Sequence, residues 1–127
     1  DQVLFSLTFG GDLCSIVACV WLILRFRSLC PRIRSRLFAR QIWHLAVADL
    51  VGAIFAAFAD GVLHTGMPMS RGQGDWFCSV VPPGWYVAFT VSALVEANIA
   101  LGFCFAYFRA VRALHVVAAL LPAGWVL

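Results

Sequence analysis

Three long stretches of almost unbroken apolar sequence run along this chain, separated by short polar segments. They cover about residues 3–26, 40–63 and 80–108, and a fourth, 113–127, ends with the chain. Each of the first three reaches the roughly 20 residues that a helix rising ~1.5 Å per residue needs to cross ~30 Å of hydrocarbon. The fourth has only 15 residues and breaks off in LPAGWVL, and the chain opens on Asp1 rather than Met, so it reads as a piece of something longer. The pattern predicts an all-α fold: one transmembrane domain over residues 1–127, a helical bundle with three full spans and a truncated fourth.

Composition supports lipid as the solvent. Of 127 residues, 63% are hydrophobic and 12% charged, with a mean hydropathy of +0.93; soluble domains run at roughly 45–50% apolar and about 25% charged. A cleaved secretory signal would show a basic start and a shorter apolar run. Here the chain begins DQ and the arginines follow the first run, which excludes that reading.

The arginines set the expected orientation. Six of the nine basic residues (Arg25, Arg27, Arg32, Arg34, Arg36 and Arg40) fall in the first connection, which Pro31 interrupts. Short basic loops stay in the cytoplasm. The second connection, with only Arg71 against Asp75 in HTGMPMSRGQGDW, is expected outside. The third, around Arg109 and Arg112, is again basic and expected inside. The amino terminus is therefore expected outside. A basic loop squeezed between two spans reads as a topology signal that also attracts anionic lipid headgroups, not as a nucleic-acid site.

The acidic residues inside the spans are the candidates for chemistry. Asp12, Asp49 and Glu96 lie 13, 9 and 13 residues from Arg25, Arg40 and Arg109 respectively, or roughly 13–20 Å from the cytoplasmic edge. In the second span Ala46, Asp49, Ala53, Ala56, Asp60 and His64 recur at spacings of three and four and so share one helical face. Asp12, Ser15 and Cys19 do the same in the first span, and Ser92, Glu96 and Ala100 in the third. Facing lipid, one such charge would cost at least about 2.5–3.5 kcal/mol; small residues let helices approach closely. These faces are expected to meet, with Asp49, Glu96, Asn98 and Asp12 forming a polar cluster that holds water or a cation, Asp49 being its principal ligand. The alternative is that each acid is a protonated interhelical hydrogen-bonding group.

Cys14, Cys19 and Cys104 lie within spans and read as small apolar packing groups. Cys30 is juxtamembrane. Cys78 sits on the expected outer side, where a disulfide is permitted, with any partner on another chain or on sequence not contained here.

A basic first loop followed by RQIWHLAVADLVGAIF resembles the second helix of G-protein-coupled receptors, whose LAxADL motif carries the aspartate of a sodium and water pocket. An outer Trp76, then Cys78 opening a long third helix, is similar to the same family. The resemblance covers about residues 36–112 and implies the amino-terminal part of a seven-helix receptor, rhodopsin-like or similar to the cAMP-receptor-like branch. It implies that Asp49 holds a sodium ion and that Cys78 pairs with the second extracellular loop. Arg109 in YFRA is a loose match to the arginine of the DRY motif; it lies 31 residues after Cys78, about two helical turns beyond the family's spacing. With Arg112 it would face a heterotrimeric G protein, while an extracellular ligand would bind among the outer helix halves in the plasma membrane.

Two other classes remain. Three acids at one depth fit a proton or cation path in a transport or channel subunit, although no inverted repeat is visible. A structural accessory subunit is the third. No HExxH, GxSxG or phosphate-binding glycine loop occurs, and an enzyme is not expected.

Overall fold

The computed structural model describes residues 2–65 and 71–126. The chain folds into α1 (Gln2–Arg27), a single turn α2 (Pro31–Arg34), α3 (Leu37–Thr65), α4 (Arg71–Tyr107) and α5 (Val111–Leu120), the last running into a 3-10 turn at Leu121–Trp125. No strand occurs among the described residues. Three segments, Phe5–Arg27, Leu37–Val62 and Gly72–Tyr107, are long and apolar enough to cross a membrane, and Val111–Trp125 is a shorter apolar helix. The protein is a membrane-embedded, all-α bundle.

The elements start and stop for local reasons. Pro31 opens α2, the position where its missing N–H is no loss and its fixed φ is already helical. At the other end of the chain, α4 closes on Arg109, whose φ of 53° is left-handed. The Arg109 N–H donates to the Ala106 carbonyl (3.1 Å) and the Ala110 N–H to the Phe105 carbonyl (2.9 Å), the paired bonds of a helix-terminating left-handed cap. Arginine occupies a position that usually favours glycine.

Helix α4 is longer than the third apolar stretch suggests. The glycine-rich segment before Trp76 reads as loop, yet the helix starts at Arg71 and spans 37 residues, about 55 Å at ~1.5 Å per residue. Tertiary contact overrides the weak propensity of Gly72 and Gly74: Phe77 packs at a tilt against Phe58 of α3 with ring centroids 5.8 Å apart. The rest of the expected outer connection, residues 66–70, lies outside the described residues. Pro82 and Pro83 sit inside α4 without ending it, as helices within a membrane tolerate.

Helix α3 packs against both α1 and α4, and α5 with its 3-10 turn packs against α4. The core is small and lies at the α3–α4–α5 junction: Ala48, Val91, Val95 and Leu121 are buried, with Leu45 and Ile99 against them. Along α1, by contrast, Leu7, Val17 and Trp21 are at least 60% exposed. Between spans, where lipid is as apolar as leucine, close packing of small residues replaces the hydrophobic drive. Buried Ala46, Ala48 and Ala88 meet that requirement.

One close approach depends on glycine. A Cβ at Gly84 would stand 2.5 Å from the Phe55 ring, so α4 presents bare backbone to an aromatic side chain of α3. Gly84→Ala is expected to lower thermal stability by about 1–3 kcal/mol through overpacking. Gly61→Ala, whose Cβ would meet nothing within 4 Å, is expected to leave stability unchanged or raise it by up to ~1 kcal/mol. Melting curves of the two variants in one detergent or nanodisc check the contrast.

Candidate functional site

The helical spacings bring three carboxylates to one cavity. Asp12 with Ser15 and Cys19 comes from α1, Asp49 with Gly52, Ala53 and Ala56 from α3, and Ser92 and Glu96 from α4, around a space of about 490 Å³. The cavity exists because α3 offers glycine and alanine where larger side chains would fill the gap. Trp85 and Phe89, a stacked pair with centroids 5.7 Å apart, form an aromatic wall.

At its centre the Ser92 hydroxyl donates to Asp49 Oδ1 at 2.6 Å, a distance typical of a hydroxyl bound to a carboxylate oxygen. The choice of partner is informative. Ser79 and Thr90, on the same helix, return their hydroxyls to the main-chain carbonyls of Asp75 and Tyr86, four residues back. Ser92 instead reaches across to α3. Asp12 is half-buried, while Asp49 and Glu96 are exposed, so the described helices leave one side of the cavity open. Apart from the Cys19 thiol, the possible ligand atoms of the Asp, Glu and Ser side chains are oxygens, which suit hard cations. Among the described residues no three His, Cys, Asp or Glu side chains cluster as a metal site.

Asn98, expected in the same cluster, does not join it. Two residues along a helix turn the side chain by about 200°, so Glu96 and Asn98 point to different sides of α4. Asn98 is buried and bonds elsewhere: Gln41 Nε2 donates to its carbonyl oxygen (3.0 Å) and to its Oδ1 (2.8 Å), while Asn98 Nδ2 donates to the Val117 carbonyl of α5 (3.0 Å). One amide thereby joins three helices. Gly102 accommodates the arrangement, since a Cβ there would come within 3.1 Å of Gln41 Nε2. Sequence reasoning missed Gln41; the available signal was an amide one turn inside a span, which in lipid demands a partner on another helix.

A second missed link joins the 3-10 turn to α3, where Trp125 Nε1 donates to His44 Nδ1 at 3.0 Å. That nitrogen accepts, so the ring's remaining donor is Nε2.

The other expected residues stand apart. Cys78 is exposed and unpaired, as are Cys14, Cys30 and Cys104, with Cys19 partly covered. Arg109, in the α4–α5 turn, and Arg112, in the first turn of α5, are exposed and do not line the cavity. Comparison with protein-family models, with curated proteins and with solved structures finds nothing that matches this chain.

Removing the Asn98 amide leaves Gln41 Nε2 with the Asn98 main-chain carbonyl alone and takes the side-chain donor from the Val117 carbonyl. Asn98→Ala is expected to cost about 1–3 kcal/mol, the loss of two buried hydrogen bonds that nothing replaces. Thermal denaturation in nanodiscs measures it; a loss below a few tenths of a kcal/mol would show that the amide does not tie the helices together.

Proposed function

We propose that this chain is part of a divergent G-protein-coupled receptor, in which the cavity at Asp49 holds water and a sodium ion that biases the packing of α1, α3 and α4. The observation that carries the reading is the Ser92–Asp49 hydrogen bond, 2.6 Å long, inside a cavity shared by three helices. It falls on the aspartate of the LAVADL segment, in a chain whose basic first loop, Trp76 and Cys78 follow the receptor order. Asp49 Oδ1 and Ser92 Oγ would supply the protein ligands and water the rest, with the Asp12 and Glu96 carboxyl groups acting from the cavity wall at longer range.

The exposure of Asp49 and Glu96 supports a larger assembly. An ionised side chain facing hydrocarbon is costly, and the further spans of a seven-helix bundle would close the open side. Signalling on this reading is a shift between two packed states. The ion favours one of them, and an extracellular ligand and a cytoplasmic G protein favour the other, each by its differential affinity. The arginine-rich connection would face the cytoplasm.

Sodium is expected to stabilise the protein, by about 1.4 kcal/mol at ten times its Kd, relative to choline at equal ionic strength. Asp49→Asn should abolish the difference and Ser92→Ala should reduce it. Equal melting curves in the two salts for the unmodified protein would overturn the ion site. Nucleotide exchange by a heterotrimeric G protein, driven by the full-length protein, tests the receptor reading. Sodium or proton uptake into liposomes would favour transport instead.

A further inference from the structure

A second cavity lies at the opposite level of the bundle from the aromatic wall, where the connection between α1 and α3 folds back. Arg27 at the end of α1, Arg34 at the end of α2 and Arg40 in the first turns of α3 converge on a space of about 610 Å³, with Ser35, Phe26 and Trp43 in its wall. Its size falls within the ~300–1,000 Å³ range of small-molecule sites.

Among the described residues no acidic side chain lines the cavity to neutralise these guanidinium groups. No Asp or Glu occurs between Leu13 and Ala48 or after Glu96, so this end of the bundle carries eight of the nine arginines and no acidic side chain. The nearest acid along α3, Asp49, is nine residues from Arg40, about 13 Å. The aromatic lining orders the site: the Phe26 and Trp43 rings lie 6.4 Å apart, and the Arg34 guanidinium stands 5.6 Å from the Phe26 centroid, in the range of a cation–π contact. Arginine presents planar forked donors that match phosphate oxygens in pairs. The cavity also sits where the apolar segments Phe5–Arg27 and Leu37–Val62 reach their ends, which is the depth of lipid headgroups. Beside it Leu24 is exposed, an apolar surface for an acyl chain.

The geometry points to a binding site for a phosphorylated lipid headgroup, its phosphate oxygens bridging Arg27, Arg34 and Arg40 and its acyl chains lying along α1. The site needs only the membrane-embedded bundle, and stands or falls independently of the receptor reading.

The test measures binding of a fluorescent phosphatidylinositol bisphosphate to the full chain in phosphatidylcholine nanodiscs. Two triple variants are compared. Replacement of Arg27, Arg34 and Arg40 by Gln removes the cavity charges, and replacement of Arg25, Arg32 and Arg36 by Gln removes the same charge from the same connection outside the cavity. The first is expected to weaken binding at least about tenfold more than the second, since both lose the same long-range attraction for an anionic headgroup and only the first loses the forked donors that line the cavity. Equal losses in the two variants would overturn the site, as would affinity for the bisphosphate lipid no greater than for phosphatidylcholine. Competition by soluble inositol trisphosphate would show that the phosphates suffice. Failure to compete, with the lipid still lost in the first variant, would show that the tether is required; both outcomes support the cavity. Should the first variant not fold, Arg→Lys at the same three positions keeps the charge and loses the forked geometry, and unchanged binding there would overturn the proposal.

Discussion

A polar side chain inside hydrocarbon that does not bond its own helix's main chain has to find its partner on another helix, and that requirement fixes which faces of α3 and α4 meet. Water is absent there to satisfy it. Two such pairings hold the interface at two depths: Gln41 with Asn98 near the arginine-bearing end, and Asp49 with Ser92 further along. Residues 41 and 49 are eight apart on α3, and 98 and 92 six apart on α4. Both intervals are close to two helical turns, so each helix presents one stripe to the other, in antiparallel order. The alanines and valines of the core fill the space between these two bonds.

The two pairings differ in what surrounds them. The Asn98 amide is almost wholly enclosed, with every polar group directed at a protein partner, and its neighbours Gly102 and Val117 leave no further room. That is the signature of a structural tie. Around Asp49 the small residues of α3 leave space, three carboxyl groups line it, and the Ser92 hydroxyl bonds the central one. A group of hard oxygen donors around an open volume suits an exchangeable guest, whereas a filled amide network does not. The contrast within one helix pair is what directs the functional reading to α1, α3 and α4 rather than to α5.

Much of this was legible in the sequence. The three spans and the small-polar faces follow from periodicity and length alone, because hydropathy and a spacing of three or four are local properties. The same spacings place Asp12, Asp49 and Glu96 on faces that line one cavity. Asn98 departs from that group because two residues of rotation about the helix separate it from Glu96. Gln41, His44 and Trp125 could not be paired from one chain's pattern, since a hydrogen bond spanning 57 or 81 residues depends on how helices cross, which composition does not determine. The amino-terminal extension of α4 escaped for a similar reason: glycine lowers helix propensity locally, while the aromatic contact between Phe58 and Phe77 that sustains the helix is tertiary. Arg109, read through a motif, proves to occupy a backbone position with its own demand for a left-handed conformation.

The consecutive prolines of α4 carry a mechanical consequence. Neither Pro82 nor Pro83 has an N–H, so the carbonyls of Cys78 and Ser79, each four residues earlier, receive no main-chain donor from within the helix. Bending α4 at this place breaks fewer backbone hydrogen bonds than bending it elsewhere along its length. The segment from Arg71 to Val81 is thus a lever attached through a compliant joint, while the stretch beyond Gly84, anchored by serine and asparagine, behaves as a stiff rod.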